Sequence, residues 1–423
     1  MIKRILLCLF LPVAFLQLQA QENIGSPYSV YGLGLLPANQ GPYTAMGGVS
    51  AAMRDSRNIN FLNPASYTAL DSNRYNFQLG ISGEYAYIST HKKSSNYRVA
   101  QNAELNMALR LRRNLYFSFG FTEKSDIGYD LLYSYSISGS ASGNFSQNIS
   151  GEGGLNDLYA GFGWKYKNLS IGTNFSYVFG KIEKRQTLTA ELANSFYIRT
   201  SENNRIHDFL FTPGIQYHFR LTPKSRLTLG TSMNFTQKLR AKKEFISYKV
   251  STSSGNSTML DEETLKRGYI KYPFRINSGL NYQFKNKWQA AADYTFHKMS
   301  AYEEFKINQQ LKDYHKVNAG VAWTPEESGR FWWQRNKYMV GGYFVKSEIQ
   351  LKETDINAYG ITLGSQIPFI IRQPGRWQEL LLGIAFDLGI RGSEKNGLIQ
   401  EKYAKLRINI AFKELWFVKQ KIN

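Results

Sequence analysis

Asp293 and His297 are the two residues in this sequence whose types and spacing come closest to a catalytic arrangement. Because they stand four positions apart, they share one face of an extended strand, and a serine from a neighbouring strand would complete a Ser-His-Asp relay. No Gly-x-Ser-x-Gly elbow precedes a helix, and Asp and His are ordinary residues in a polar interior. We therefore expect that the protein is not an enzyme.

Metal and disulfide chemistry are not expected either. Metal sites usually draw on histidines or cysteines at short, regular spacings. None of the five histidines stands at such a spacing from another histidine or from a cysteine: His91, His207, His218, His297 and His315. The single cysteine is Cys8, near the start of the chain. We predict no metal, no cofactor and no disulfide.

The start of the chain has the pattern of a secretory signal peptide. Lys3 and Arg4 form a basic region, and residues 5–16 form an apolar run that is too short to span a bilayer. Ala20 before Gln21 is a plausible cleavage point. We predict that residues 1–20 are removed on export.

The elements that would position interior side chains are strands. From about residue 73, apolar and polar residues alternate with a period of two, as in Tyr75, Phe77 and Leu79 against Asn76 and Gln78. The composition agrees, because Tyr (28), Phe (27) and Gly (35) are abundant. No run beyond the signal peptide reaches the ~18 apolar residues of a spanning helix.

The connections between these strands alternate in length. Tight turns, such as residues 112–114 and 285–287, are separated by long polar segments at 129–155, 185–206 and 246–267. Outer-membrane barrels have short periplasmic turns and long external loops. The sequence therefore predicts an all-β fold: a transmembrane antiparallel β-barrel of about 14 strands over residues 73–423.

The formal charge of +20 raises the question of an acidic partner. An exported protein does not meet nucleic acid as its main partner, so nucleic acid is not expected. We place the lysines and arginines in turns and loops near anionic lipid headgroups. Outer-membrane lipid is thus the first expected partner.

The stretch from Ala45 to Asp55, followed by Asn63-Pro64-Ala65, interrupts the strand pattern with small residues and a Gly47-Gly48 pair. Glycine allows close backbone approach, and non-helical backbone is tolerated inside a barrel because protein surrounds it. We predict that residues 21–72 form a hatch, or plug, in the lumen. The alternative is a lead-in that packs on the periplasmic rim.

This stretch resembles the N-terminal hatch of the FadL family, the outer-membrane transporters of long-chain fatty acids and hydrocarbons. The resemblance makes seven residues the candidates for a hatch or gate: Met46, Gly47, Gly48, Asp55, Asn63, Pro64 and Ala65. The chain end after Trp416 and the Ala20-Gln21 junction are similar to Bacteroidetes-type members. The resemblance implies a fourteen-stranded barrel whose hydrophobic ligands leave sideways through a gap between strands.

The predicted lumen face is highly polar, with the candidates Glu84, Arg110, Arg275, Asp293 and Arg407. These residues form either a salt-bridged interior or a conduction path whose charges select solutes. The first expected function is passive transport of small hydrophobic molecules such as long-chain fatty acids or hydrocarbons across the bacterial outer membrane. Because the superfamily that this family belongs to includes barrels that serve protein secretion, the alternative is a non-transporting partner or cargo-holding component of a secretion or assembly machine.

Overall fold

The structure, a computed structural model, describes five stretches of the chain: residues 25–35, 41–137, 143–190, 196–373 and 376–415. The predicted signal peptide and the chain end after Leu415 lie outside them. No helix in the described stretches is long and apolar enough to cross a membrane.

Fourteen antiparallel strands close into one barrel, which confirms the predicted fold class. In chain order, the described residues form twenty strand segments, which make up these fourteen wall strands and some of the connections: β1 (Arg74–Ser89), β2 (Ser94–Arg112), β3 (Leu115–Ile137), β4 (Gly143–Tyr166), β5 (Leu169–Ala190), β6 (Phe196–Thr222), β7 (Ser225–Asn234), β8 (Gln237–Ser251), β9 (Ser257–Tyr272), β10 (Arg275–Phe284), β11 (Trp288–His297), β12 (Glu303–Glu304), β13 (Ile307–Asn308), β14 (Tyr314–Trp323), β15 (Lys337–Lys346), β16 (Gln350–Leu351), β17 (Thr354–Asp355), β18 (Ala358–Gln373), β19 (Arg376–Gly392) and β20 (Gln400–Leu415). The ladder closes because β20 pairs with β1 from Arg74↔Leu415 to Ser89↔Gln400.

Several of these segments are not separate strands of the barrel wall. β7 and β8 are two halves of one wall strand, and so are β9 and β10. The two-residue segments β12, β13, β16 and β17 lie in the connections. The remaining elements are short: helix α1 (Trp332–Arg335) and 3₁₀ helices at Pro27–Val30, Thr44–Met46, Pro64–Ala69, Met299–Ala301 and Lys395–Gly397.

The tight turns lie at one end of the barrel, where β1 begins and β20 ends. We call this the periplasmic end, following the asymmetry of outer-membrane barrels. Exposed aromatic side chains ring it: Trp288 and Trp323 are paired across β11 and β14 with ring centroids 5.9 Å apart, and Tyr338 follows on β15. Such a ring is typical of the interfacial girdle of a membrane barrel.

The segments predicted as long polar loops are mostly strand, so that part of the prediction is wrong. β3 to β6 run for 23, 24, 22 and 27 residues, whereas a strand of about 10 residues crosses a bilayer. Beyond the bilayer the outward face meets water, so polar residues occupy both faces and the apolar alternation disappears while the hydrogen-bonded ladder continues.

One ladder of the wall is interrupted. On β6, Ile206 pairs with Ala241 of β8 and Gly214 pairs with Ser232 of β7, but residues 207–213 have no ladder partner on this side, although they remain paired with β5 on the other. Side chains bridge this gap: the Asn234 amide donates to Thr212 Oγ1 at 2.5 Å, the Gln237 amide donates to the carbonyl of Phe209, and Arg240 pairs with Asp208. We call this the β6 gap.

The described residues occupy the lumen at two levels. Residues 41–70, the hatch loop, lie in the periplasmic half, where the 3₁₀ helix at Pro64–Ala69 contacts β4, β5 and β6. In the external half lies an apolar group, the upper cluster, that joins residues 30–33 and the connection at 299–311 to the wall. Its members include Leu33, Ile127, Leu155, Ile206, Leu210, Leu239, Ile270, Tyr272, Met299, Tyr302 and Leu311.

Candidate functional site

The Gly47-Gly48 pair makes a tight bend in the hatch loop. Both residues adopt left-handed backbone angles, with φ of +72° and +75°, which L side chains rarely adopt. The bend is fixed to the wall because the Gly47 N–H donates to Thr362 Oγ1 at 2.8 Å and the Thr362 hydroxyl donates to the Ala45 carbonyl at 3.0 Å. Met46 is fully buried beside it.

Glycines on the wall form the seat for this backbone. A Cβ at Gly320 would lie 2.6 Å from the Met46 Cα, and one at Gly341 would lie 2.4 Å from the Gly47 nitrogen. Six other wall glycines would meet the hatch loop, with its nearest atoms at 3.2 Å or less: Gly161, Gly163, Gly172, Gly214, Gly230 and Gly364. Sequence reasoning missed this belt, although glycine at lumen-facing positions of successive strands was a signal for it.

Asn63, Pro64 and Ala65 hold the second bend of the hatch loop. Asn63 is the N-cap of the 3₁₀ helix, because its Oδ1 accepts from the Ala65 N–H at 3.1 Å, and proline occupies the first helical position. The other side of the Asn63 amide donates to the carbonyls of Ala51 at 2.6 Å and Thr231 at 3.3 Å. The Asn63 side chain thereby joins Ala51 and Ala65 of the hatch loop to Thr231 of the wall.

Asp293 anchors the hatch loop rather than a catalytic relay. Its carboxylate accepts from the backbone N–H groups of Ser50 at 2.6 Å and Ala51 at 2.9 Å, and Asn277 donates to Ser50 Oγ at 3.0 Å. His297 lies instead against Tyr272, with ring centroids 5.4 Å apart. In the described part of the chain, the two residues considered for a Ser-His-Asp relay are not brought together.

The other predicted lumen residues are dispersed. Glu84 pairs with Lys405 at 3.0 Å, and Arg407 Nη2 lies 2.8 Å from the Glu104 carboxylate. Arg110 turns to carbonyls of its own turn at the periplasmic end, and Arg275, half-buried, makes no ion pair within the described residues. The arrangement is a set of separate wall contacts rather than one charged constriction.

The buried Arg407–Glu104 pair supports a prediction. Arg407→Met leaves the Glu104 carboxylate buried without its counter-charge, so we expect the barrel to lose about 3 kcal/mol of unfolding free energy. The double variant Glu104→Gln with Arg407→Met should recover most of that loss, because it removes both charges. Urea unfolding followed by heat-modifiable gel migration measures both. Equal losses in the single and double variants would show that packing, not charge, is responsible.

The second half of the hatch loop carries charge toward the periplasmic end. The two N–H groups of Arg54 Nη1 are shared among four neutral oxygens within hydrogen-bond distance, Ala65 O, Thr68 Oγ1, Ser170 Oγ and Gln216 Oε1, at 2.9–3.3 Å. Burial lowers the pKa of Arg54 to about 10. Asp55 accepts from the Arg57 N–H and the Asn58 amide, both at 2.9 Å. Burial favours protonation of Asp55, but Arg57 and Lys337 outweigh it and lower the pKa of this carboxyl.

These residues form the floor of a cavity of about 690 Å³, the periplasmic basin. Its walls come from the tight-turn ends of the strands. Its charged lining consists of seven cations and two anions: Arg54, Arg57, Lys165, Arg220, Arg226, Lys287 and Lys337 against Asp55 and Glu327. Sequence reasoning missed the basin because it assigned the cations of the turns to lipid headgroups one by one. Among the described residues, no group of three metal-ligating side chains is positioned to hold an ion.

The wall and the lumen together define a class: a fourteen-stranded antiparallel β-barrel of the FadL type, in which N-terminal residues occupy the lumen. The BamG family model matches residues 1–423, so the chain belongs to the BamG family.

Solved structures share this fold. A Pseudomonas aeruginosa FadL homologue superposes with a TM-score of 0.62 and 11% identity over 91% of this chain and 100% of its own. The P. putida toluene transporter TodX gives a TM-score of 0.59 and 14% identity over 90% of this chain and 100% of its own. The CymD monoaromatic hydrocarbon channel gives 0.58 and 14% over 90% and 99%. None of the curated proteins compared matches the chain.

Proposed function

We propose that this protein is a non-conducting barrel of the bacterial outer membrane that serves as a component of a protein assembly or secretion machine. The observation that carries the proposal is that the lumen is occupied at two levels: wall glycines, Asp293 and Asn63 hold the hatch loop in the periplasmic half, and the upper cluster packs in the external half. Opening a path would break buried hydrogen bonds at one level and apolar packing at the other. The match to the BamG family model points in the same direction.

Gentle purification tests this function. A tagged copy, solubilised in mild detergent from native outer membranes, should migrate on a native gel as a complex with at least one partner protein in fixed ratio. Depletion of the protein should lower the amount of other folded outer-membrane proteins. A lone barrel on the native gel, together with unchanged outer-membrane proteins after depletion, would contradict the proposal.

A second candidate function is passive transport of small hydrophobic molecules, and the β6 gap favours it. The residues without partners on this side, 207–213, include Leu210 of the upper cluster, and Leu239 of the same cluster lies on β8 beside the interruption. An apolar solute inside the barrel would meet apolar side chains there and an opening in the wall closed only by side chains. Solved barrels of this fold include a toluene transporter and a hydrocarbon channel.

The β6 gap gives this candidate its own test. If it is an exit, then Asn234→Ala with Gln237→Ala, which removes two bridging amides, should raise the uptake of a labelled fatty acid or toluene into proteoliposomes about threefold, as expected when a barrier falls by under 1 kcal/mol. The control is Thr200→Ala with Ser247→Ala, a hydroxyl pair on the intact part of the same ladder. Uptake equal to that of protein-free liposomes in every sample would exclude transport.

A further inference from the structure

The periplasmic basin carries more positive charge than its surroundings neutralise. Arg57 pairs with Asp55 at 3.7 Å and with Glu327 at 3.8 Å, so the two acidic residues of the lining are already engaged by one cation. Within the described residues, no carboxylate forms an ion pair with five of the remaining cations: Arg54, Lys165, Arg220, Arg226 and Lys287. Cations gathered in a concave, partly enclosed site produce a focused positive potential.

Two of these cations face each other on the wall. Arg220 of β6 and Arg226 of β7 are directly opposite in the antiparallel ladder, and like charges in that position destabilise a strand pair. Both side chains are exposed at the rim. An anion from outside that lies between the two arginines would offset this repulsion between their charges.

The floor shows the same imbalance inside the barrel. Within the described residues, Arg54 contacts only neutral oxygens, and a half-buried guanidinium without a counter-charge is costly. These contacts all use Nη1, so within the described residues Nε and Nη2 remain available for the two parallel bonds that a carboxylate or phosphate accepts. The cations therefore extend from a half-buried floor to an exposed rim, along the path by which a ligand enters from the periplasm.

We propose that the periplasmic basin binds an acidic segment of a periplasmic protein. The unpaired cations come from the hatch loop and from the β4, β6, β7 and β10–β11 ends, so they present several separate positive groups rather than one phosphate-sized pocket. A volume of about 690 Å³ accommodates several side chains of an extended peptide. The basin opens inside the barrel mouth, whereas lipid headgroups lie around the outer wall. This inference concerns a separate surface and holds whether the barrel transports or assembles.

Fluorescence anisotropy of the purified full-length barrel in a neutral detergent tests the proposal. The probe is a short labelled peptide of alternating Glu and Ser, and a Gln-Ser peptide of equal length is its uncharged counterpart. The Glu-Ser peptide should bind, and its affinity should fall about tenfold in Arg220→Gln, Arg226→Gln, Lys287→Gln combined. Binding should also weaken as salt rises.

Matched variants keep the test decisive. Lys92→Gln, Lys93→Gln and Lys395→Gln remove the same charge from exposed residues at the external end, and they should leave the affinity unchanged. Arg226→Gln alone, expected to weaken binding about threefold, serves if the triple variant loses heat-modifiable migration. Equal loss in both triple variants, or equal binding of the Gln-Ser peptide, would overturn the proposal. Complete competition by inorganic phosphate or by phosphatidylglycerol vesicles at matched charge would also overturn it and assign the basin to a small anion or a lipid.

Discussion

Replacing Gly320 and Gly341 by alanine is expected to displace the Gly47-Gly48 bend from the barrel wall. Each new Cβ would lie within 2.6 Å of the Met46 or Gly47 backbone, and no flexible side chain at that contact can move aside. Overpacking of this kind costs about 2 kcal/mol per site. Hydrogen exchange of the amides in residues 45–53 should therefore become faster by at least tenfold while the strands remain protected.

A third glycine provides the control for this experiment. Gly83 lies on β1, where the nearest atom to an added Cβ is the Val99 carbonyl oxygen at 3.9 Å. Gly83→Ala should leave exchange in the hatch loop unchanged. If the double variant exchanges at the wild-type rate, the close seat of the hatch loop on β14 and β15 is wrong.

Removing the Asp293 carboxylate is the second change with a large expected effect. Asp293→Ala leaves the N–H groups of Ser50 and Ala51 buried without their acceptor, so we expect the docked hatch loop to lose about 3 kcal/mol. Asp293→Asn keeps the shape and one acceptor oxygen but loses the charge, and should lose about 1.5 kcal/mol.

Protease sensitivity across a urea series measures this loss. Cleavage within residues 45–60 should begin at lower urea in Asp293→Asn, and lower still in Asp293→Ala, than in the wild type. Asp261→Ala, at an exposed position of β9, is the control and should not shift the onset. An Asp293→Ala barrel whose hatch loop resists cleavage like the wild type would show that this carboxylate does not hold it.

The hatch loop links the lumen to the periplasmic basin. Asp293 and the glycine belt hold residues 46–51, and only a few residues later Arg54 and Asp55 form the basin floor. A ligand that engages Arg54 therefore contacts the same segment that fills the barrel. If the acidic partner binds as proposed, it adds to the contacts that keep the hatch loop in place.

The fold was largely predictable because its signal is local. Alternation in segments such as residues 75–81, with tight turns at one end only, is enough to predict an antiparallel membrane barrel. The external halves of β3 to β6 were missed because their outward face meets water, so Ser, Asn and Lys replace the apolar row without ending the strand. Sequence periodicity records the solvent that each face meets, not the hydrogen bonds of the ladder.

The sites were less predictable because they depend on residues far apart in the chain. The alternation predicts Asp293 as a lumen residue, but its partners Ser50 and Ala51 come from a segment with no periodicity to set their position. The wall glycines are ordinary strand residues until the Met46-Gly47 backbone lies against them. The opposed Arg220 and Arg226 become a pair only once the β6–β7 register is known.

Single-channel recording in planar bilayers tests most directly whether the hatch loop and the upper cluster close the lumen. The wild-type barrel should insert without conductance steps, and the Gly320→Ala, Gly341→Ala variant should show transient openings as the hatch loop leaves its seat. Stable wild-type conductance equal to that of the variant would contradict a closed lumen, and with it the proposal of a non-conducting barrel.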